Sequence, residues 1–123
     1  MKHDYVFAGL GAAMLIAVSG EATAATAARG QTLYKAMCVA CHSIDYNGVG
    51  PAHKGLLGKK AGSRADYIYS SALKASSVVW DDKTLDKWLA NPEKLIPGQK
   101  MGFMVPAAKD RADLIAYLKN EAK

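Results

Sequence analysis

Cysteine is scarce in this 123-residue chain, which has only Cys38 and Cys41, with two residues between them. A disulfide between residues so close closes a tiny loop and adds little stability. Beyond the first few residues the only histidines are His42 and His53, so a four-ligand zinc site would have almost no donors to choose from. From residue 25 onward there is no alternating strand pattern, no repeat and no low-complexity tract. Without strands there is no βαβ setting for a thioredoxin-like dithiol centre. Long apolar runs are missing too. The longest, Val6 to Val18, is about 13 residues, whereas a bilayer-spanning helix needs roughly 20.

That short run has the layout of an export signal. Lys2 lies in a polar opening, the apolar stretch follows, and Ala22-Thr23-Ala24 offers an A-x-A cleavage site. Cleavage after Ala24 is expected, and Ala25-Thr26-Ala27 is a second match that would move the cut as far as Ala27. Residues 1–24 are therefore assigned to a signal peptide and 25–123 to one folded domain. The rival reading is an uncleaved anchor, because Asp4 weakens the positive opening. Either way the folded part lies outside the cytoplasm, in a bacterium the periplasm. Removing residues 1–24 takes away Lys2, Asp4 and Glu21, which leaves 15 basic against 9 acidic residues, or +6. Such a field steers a protein toward acidic partners. The basic residues are scattered and the chain is exported, which disfavours nucleic acid.

Apolar spacing predicts a helix from Ala27 to about Ala40 that delivers the cysteines at its C-terminal end. Ser43 to about Asp66 is punctuated by glycine and Pro51, and a loop of that length needs something to wrap around. Tyr67 to Ala75 is read as a short helix. Asp81 or Asp82 caps another that runs to Ala90, with Leu85, Trp88 and Leu89 inward. Asn91-Pro92 starts a brief helix to Leu95, and Ile96 to Ala108 is irregular. The last helix has Asp110 and Asp113 in its first turn, where they favour the helix dipole, and Leu114, Ile115, Tyr117 and Leu118 as its buried stripe. The core of so small a domain is thin, and a large prosthetic group would complete it.

Cys38-Val39-Ala40-Cys41-His42 is a C-x-x-C-H motif, the attachment signature of c-type haem. Two thiols at that spacing can each add to one vinyl group on a porphyrin edge, and the next side chain then projects beneath the ring to ligate iron. His42 would bind through Nε2. Its other ring nitrogen then needs an acceptor, for which a backbone carbonyl near Pro51 is suitable. A disulfide, a dithiol redox centre and zinc are the competing readings. A sixth ligand would come from the opposite side, and methionine sulfur suits an electron carrier because it raises the potential. Met37 is tied to the cysteine side. Met101, after the turn-rich Pro97-Gly98-Gln99-Lys100, is favoured over Met104, which is read as packing.

Together these residues resemble class I cytochrome c, the mitochondrial type and its soluble bacterial relatives. The resemblance rests on Cys38 to His42, Gly50-Pro51, Gly58-Lys59-Lys60-Ala61-Gly62, Trp80, Asn91-Pro92, Ile96 through Phe103, and Asp113 through Lys119. It implies an all-α fold in which the first and last helices cross, Gly30 and Tyr34 against Leu114 and Tyr117, with long loops around one covalent haem c. It also implies His42 and Met101 as the axial pair, with the Pro51 carbonyl receiving the His42 N–H. Tyr69 and Trp80 would face a haem propionate and Trp88 would line the methionine side, each with ordinary core packing as its rival role.

Three positions depart from the family pattern. Lys59 stands where Arg is common, Gln99 where Thr is common, and His53 where the family keeps an aliphatic residue near the haem. For His53 a satisfied or partly exposed histidine is expected, with a pH-linked role as the alternative. The expectation is a monomeric single-electron carrier, not an enzyme, that binds no small-molecule substrate and whose Lys35, Lys54 and Lys100 attract acidic redox proteins. A haem peroxidase or ligand sensor, which needs an open sixth position, is the rival from another class.

Overall fold

The computed structural model describes residue 9, residues 11–17 and residues 24–123. Lys2, both ends of the Val6–Val18 run and the Ala22-Thr23 half of the first cleavage match lie outside them. No helix among the described residues is long and apolar enough to cross a membrane.

Among the described residues five helices follow in order: α1 (Ala27–Met37), α2 (Ser71–Ala75), α3 (Asp82–Ala90), α4 (Pro92–Leu95) and α5 (Ala108–Glu121). Among the described residues there is no strand, only an isolated antiparallel bridge between Lys60 and Val79. The fold is all-α, as expected from the resemblance.

Polar side chains cap the starts of α2, α3 and α4, whereas α1 and α5 have no side-chain cap. At α3 the Asp81 carboxylate accepts from the Thr84 amide at 2.8 Å and the Thr84 hydroxyl accepts from the Asp81 amide at 2.9 Å, a reciprocal cap. Asn91 accepts from the Lys94 amide at 3.1 Å, with Pro92 in the first position of α4. Two helices are shorter than the sequence leads one to expect. Helix α1 stops at Met37 instead of Ala40, because the Cys38 carbonyl accepts from both the Cys41 and the His42 amides and turns the chain sharply. Helix α2 begins at Ser71, not Tyr67, since the Ser70 hydroxyl caps it by accepting from the Leu73 amide.

Helices α1 and α5 cross at Gly30. A Cβ there would collide with the Asp113 carbonyl oxygen and lie 2.8 Å from the Tyr117 Cβ, so only glycine lets the two backbones approach. The Tyr34 and Tyr117 rings meet 5.1 Å apart beside the crossing. Asp110 lies in the first turn of α5 as expected, but Asp113 falls in the second because the helix begins at Ala108, and its role is a different one. It is fully buried and accepts from the Thr26 amide at 2.8 Å, from Arg29 at 2.7 Å and from Lys109 at 2.9 Å. These bonds, the Arg29 side chain foremost, hold its carboxyl well below the usual range against the opposing effect of burial. Leu114, Ile115 and Leu118 are buried as expected, but Tyr117 is only half-buried and Ala122 joins the core in its place.

Candidate haem site

The long loop from Ser43 encloses a cavity of about 1220 Å³, larger than the 300–1,000 Å³ typical of small-molecule pockets. Backbone bonds shape the loop: Gly50 N–H to Cys41 at 2.8 Å, His53 N–H to Ser43 at 2.9 Å, and Gly55 N–H to Ala122 at 3.0 Å, which ties it to the end of α5. Leu114 and Leu118 of α5 and Leu85, Trp88 and Leu89 of α3 form apolar walls.

The turn after α1 places Cys38, Cys41 and His42 together on one wall. Neither thiol is in a disulfide. Burial, with Cys41 as a second cause, pushes the Cys38 thiol up to about 11. This environment keeps Cys38 as a thiol and not as an activated thiolate. His42 Nδ1 lies 2.8 Å from the Pro51 carbonyl. A carbonyl can only accept, so in the neutral ring Nδ1 carries the proton and the Nε2 lone pair is left for a metal. Gly50 abuts the same ring so closely that a Cβ would strike it.

Met101 lines the cavity, carried on a segment without regular structure. The Gln99 amide bonds the Ile96 carbonyl at 3.2 Å across Pro97-Gly98, and Gly98 takes the φ of +89° that such a turn demands. Glu93 accepts from the Gly98 amide at 2.9 Å and the Gln99 side chain at 3.1 Å, and the Val105 amide donates to Leu89 at 2.7 Å. Arg111 donates to both the Val105 and Pro106 carbonyls and pairs with Asp86 at 2.7 Å, which completes the fastening. Met104 is 54% exposed and does not reach the cavity.

Tyr69, Trp80 and Trp88 also line the cavity. Trp80 is set by a short backbone pairing, its N–H donating to Lys59 and its carbonyl accepting from Gly58, both at 2.9 Å, and its ring meets Trp88 edge-on at 5.3 Å. Tyr69 packs edge-on against Tyr67 at 4.9 Å, and burial raises its phenol pKa. Lys54, Lys59, Lys60 and Lys100 stand exposed around the walls, while Lys35 is exposed but outside them.

Sequence reasoning missed Arg64, a cavity residue that bonds Asp66 and the Lys54 carbonyl. It also missed what His53 touches. The His53 ring stacks on His42, with centroids 4.3 Å apart and planes 25° apart, and its Nδ1 pairs with the Tyr34 hydroxyl at 2.8 Å. Burial first and His42 second push its pKa down to about 3, so it stays neutral near neutral pH, which disfavours the pH-linked alternative.

An apolar cavity with two unpaired thiols, an oriented imidazole and a thioether on its walls fits a covalently held haem, and imidazole and thioether are groups able to ligate its iron. A family model described as cytochrome c matches residues 27–121. Cytochrome c of Gibberella zeae is 46% identical over 99 residues, which cover 77% of this chain and 93% of that protein. Cytochrome c2 of Rhodomicrobium vannielii is 42% identical over 113 residues, covering 89% of each. Among solved structures, cytochrome cH from Methylobacterium extorquens matches with a TM-score of 0.73 at 47% identity, covering 77% of this chain and 98% of that one.

Proposed function

The chain belongs to the cytochrome c family, and from that premise we propose that it is an exported one-electron shuttle whose haem is attached at Cys38 and Cys41 and ligated by His42 and Met101. Membership makes it an electron carrier with covalently bound haem c, not an enzyme. The observation that carries the finer reading is the shared cavity: the thiols and His42 from one stretch of chain and Met101 from another line the same space, and Met104 does not.

When bound, haem supplies the one-electron couple of its iron. The chain's own residues do the rest. Pro51 holds the His42 proton on Nδ1, which makes the ring a better donor at Nε2. The Pro97-Gly98 turn and the grip of Glu93 and Arg111 keep the Met101 segment in place, so ligand geometry changes little between redox states. Trp80, Trp88 and the leucines of α3 and α5 exclude water, and Tyr69 and Trp80 are the proposed neighbours of a propionate. Lys54, Lys59, Lys60 and Lys100 give the region a positive field suited to brief encounters between this monomer and acidic redox proteins in the periplasm. Release of residues 1–24, or of a few more, as a signal peptide belongs to the same reading.

Absorption spectra of protein matured in a host competent for haem attachment test the proposal. A far-red band in the ferric form, the mark of sulfur on ferric iron, together with a mass increment of one haem is the expected result. A bare polypeptide mass, or a ferric spectrum without that band, would refute the corresponding part.

A further inference from the structure

The geometry points to His53 as a positioning residue for His42: held by Tyr34, its ring stacks on the His42 imidazole and fixes the plane which that imidazole presents to iron. The inference rests on His42 being an iron ligand. The hydrogen bond from Nδ1 to Pro51 leaves the His42 ring a pivot, and Gly50, which has no side chain, gives it only a small contact, so the ring still needs a face to lie against. The His53 ring supplies that face, nearly parallel and in stacking contact.

His53 is itself anchored. Its amide donates to the Ser43 carbonyl at 2.9 Å, and its Nδ1 meets the hydroxyl of Tyr34, which is 3% exposed and wedged beside Tyr117 where α1 and α5 cross. Whichever of the two carries the shared proton, this bond ties the His53 ring to Tyr34. An aliphatic side chain at this position would fill the same space but could not be tied to Tyr34. The helix crossing is thus linked to the imidazole through two side chains, Tyr34 and His53.

A ring freed to turn away from the Pro51 carbonyl weakens that bond, becomes a poorer donor and stabilises ferric iron less. The holoprotein, His53→Leu and Tyr34→Phe are to be compared by the haem-methyl shifts of the ferric proton spectrum, which report the ligand plane, and by reduction potential. Both variants are expected to alter the methyl pattern and raise the potential, His53→Leu more than Tyr34→Phe. Lowered thermal midpoints with wild-type methyl patterns and potentials in both would show a merely structural role and overturn the proposal. An unchanged Tyr34→Phe beside a shifted His53→Leu would overturn the part given to Tyr34. A wild-type ferric protein that is not low-spin would instead defeat the axial ligation, a failure distinguishable from that of the stack.

Discussion

Gly30→Ala sets two effects of opposite sign against each other. By helix propensity alone, replacing an interior glycine with alanine favours α1 by about 1 kcal/mol. The crossing opposes it: the new methyl group would meet main-chain atoms of Asp113 and the Tyr117 Cβ, and none of these can step aside by changing rotamer. The helices must separate, which loosens the Tyr34–Tyr117 contact and the bonds of Asp113 to Thr26 and Arg29. Overpacking costs roughly 1–3 kcal/mol, and because backbone must move here the cost is taken at the upper end, about 3 kcal/mol. With the propensity gain subtracted, a net loss of about 2 kcal/mol is expected, and at ~4–8 °C per kcal/mol for a domain near this size the thermal midpoint should fall by roughly 8–16 °C. Thermal unfolding of the holoprotein, followed by far-UV circular dichroism and by haem absorbance, reads this directly. Gln31→Ala, on the exposed side of the same helix, is the control and should stay within about 0.5 kcal/mol of wild type. A Gly30→Ala midpoint equal to or above wild type would refute the reasoning.

Met101→Ala should abolish the far-red ferric band, lower the potential and admit external ligands such as imidazole, while Met104→Ala should leave all three unchanged; ligand titration of both checks this. Cys41→Ala should leave one vinyl group unsaturated and shift the reduced absorption band, and an unshifted band would contradict attachment at two cysteines. Asp113 is held below its ordinary value of 3.8, so as pH falls through that region the unfolded chain takes up the proton first and stability is lost toward acid. Asp113→Asn should therefore be less stable at neutral pH yet lose less on acidification, measured by denaturant unfolding at neutral pH and at about pH 3. A stability curve parallel to wild type would count against the role given to that carboxylate.

What was legible in the sequence was mostly local. Cys38, Cys41 and His42 are contiguous, so their chemistry could be read from spacing, and Asp81 and Asn91-Pro92 announce their helices because a cap needs only residues three apart. The end of α1 was not legible, since apolar periodicity runs on past Met37 while the turn is made by two amides converging on the Cys38 carbonyl. Asp113 reads as a first-turn acid, and only the close approach at Gly30 brings Thr26 and Arg29 to it from more than 80 residues away. Tyr69 and Trp80 carry no spacing of their own and were placed through family resemblance alone, whereas helical spacing turned Trp88 inward and only its place beside a methionine came from the resemblance. His53 was singled out as a departure from the family, but its stack on His42 joins two points of an aperiodic loop and is visible only in three dimensions.

Helix α5 serves two neighbours with one surface: Leu114 and Leu118 line the cavity and belong to the same buried cluster as Tyr34 of α1. No rotation or slide of this helix can suit one neighbour without disturbing the other. Arg29 and Lys109, which grip the residue just before Leu114 from the outside of the molecule, thereby gain a remote hand on the metal's surroundings. Electron affinity in such a carrier can be trimmed by surface changes that leave every ligand in place, and an engineer wishing to adjust it has a starting point far from the iron.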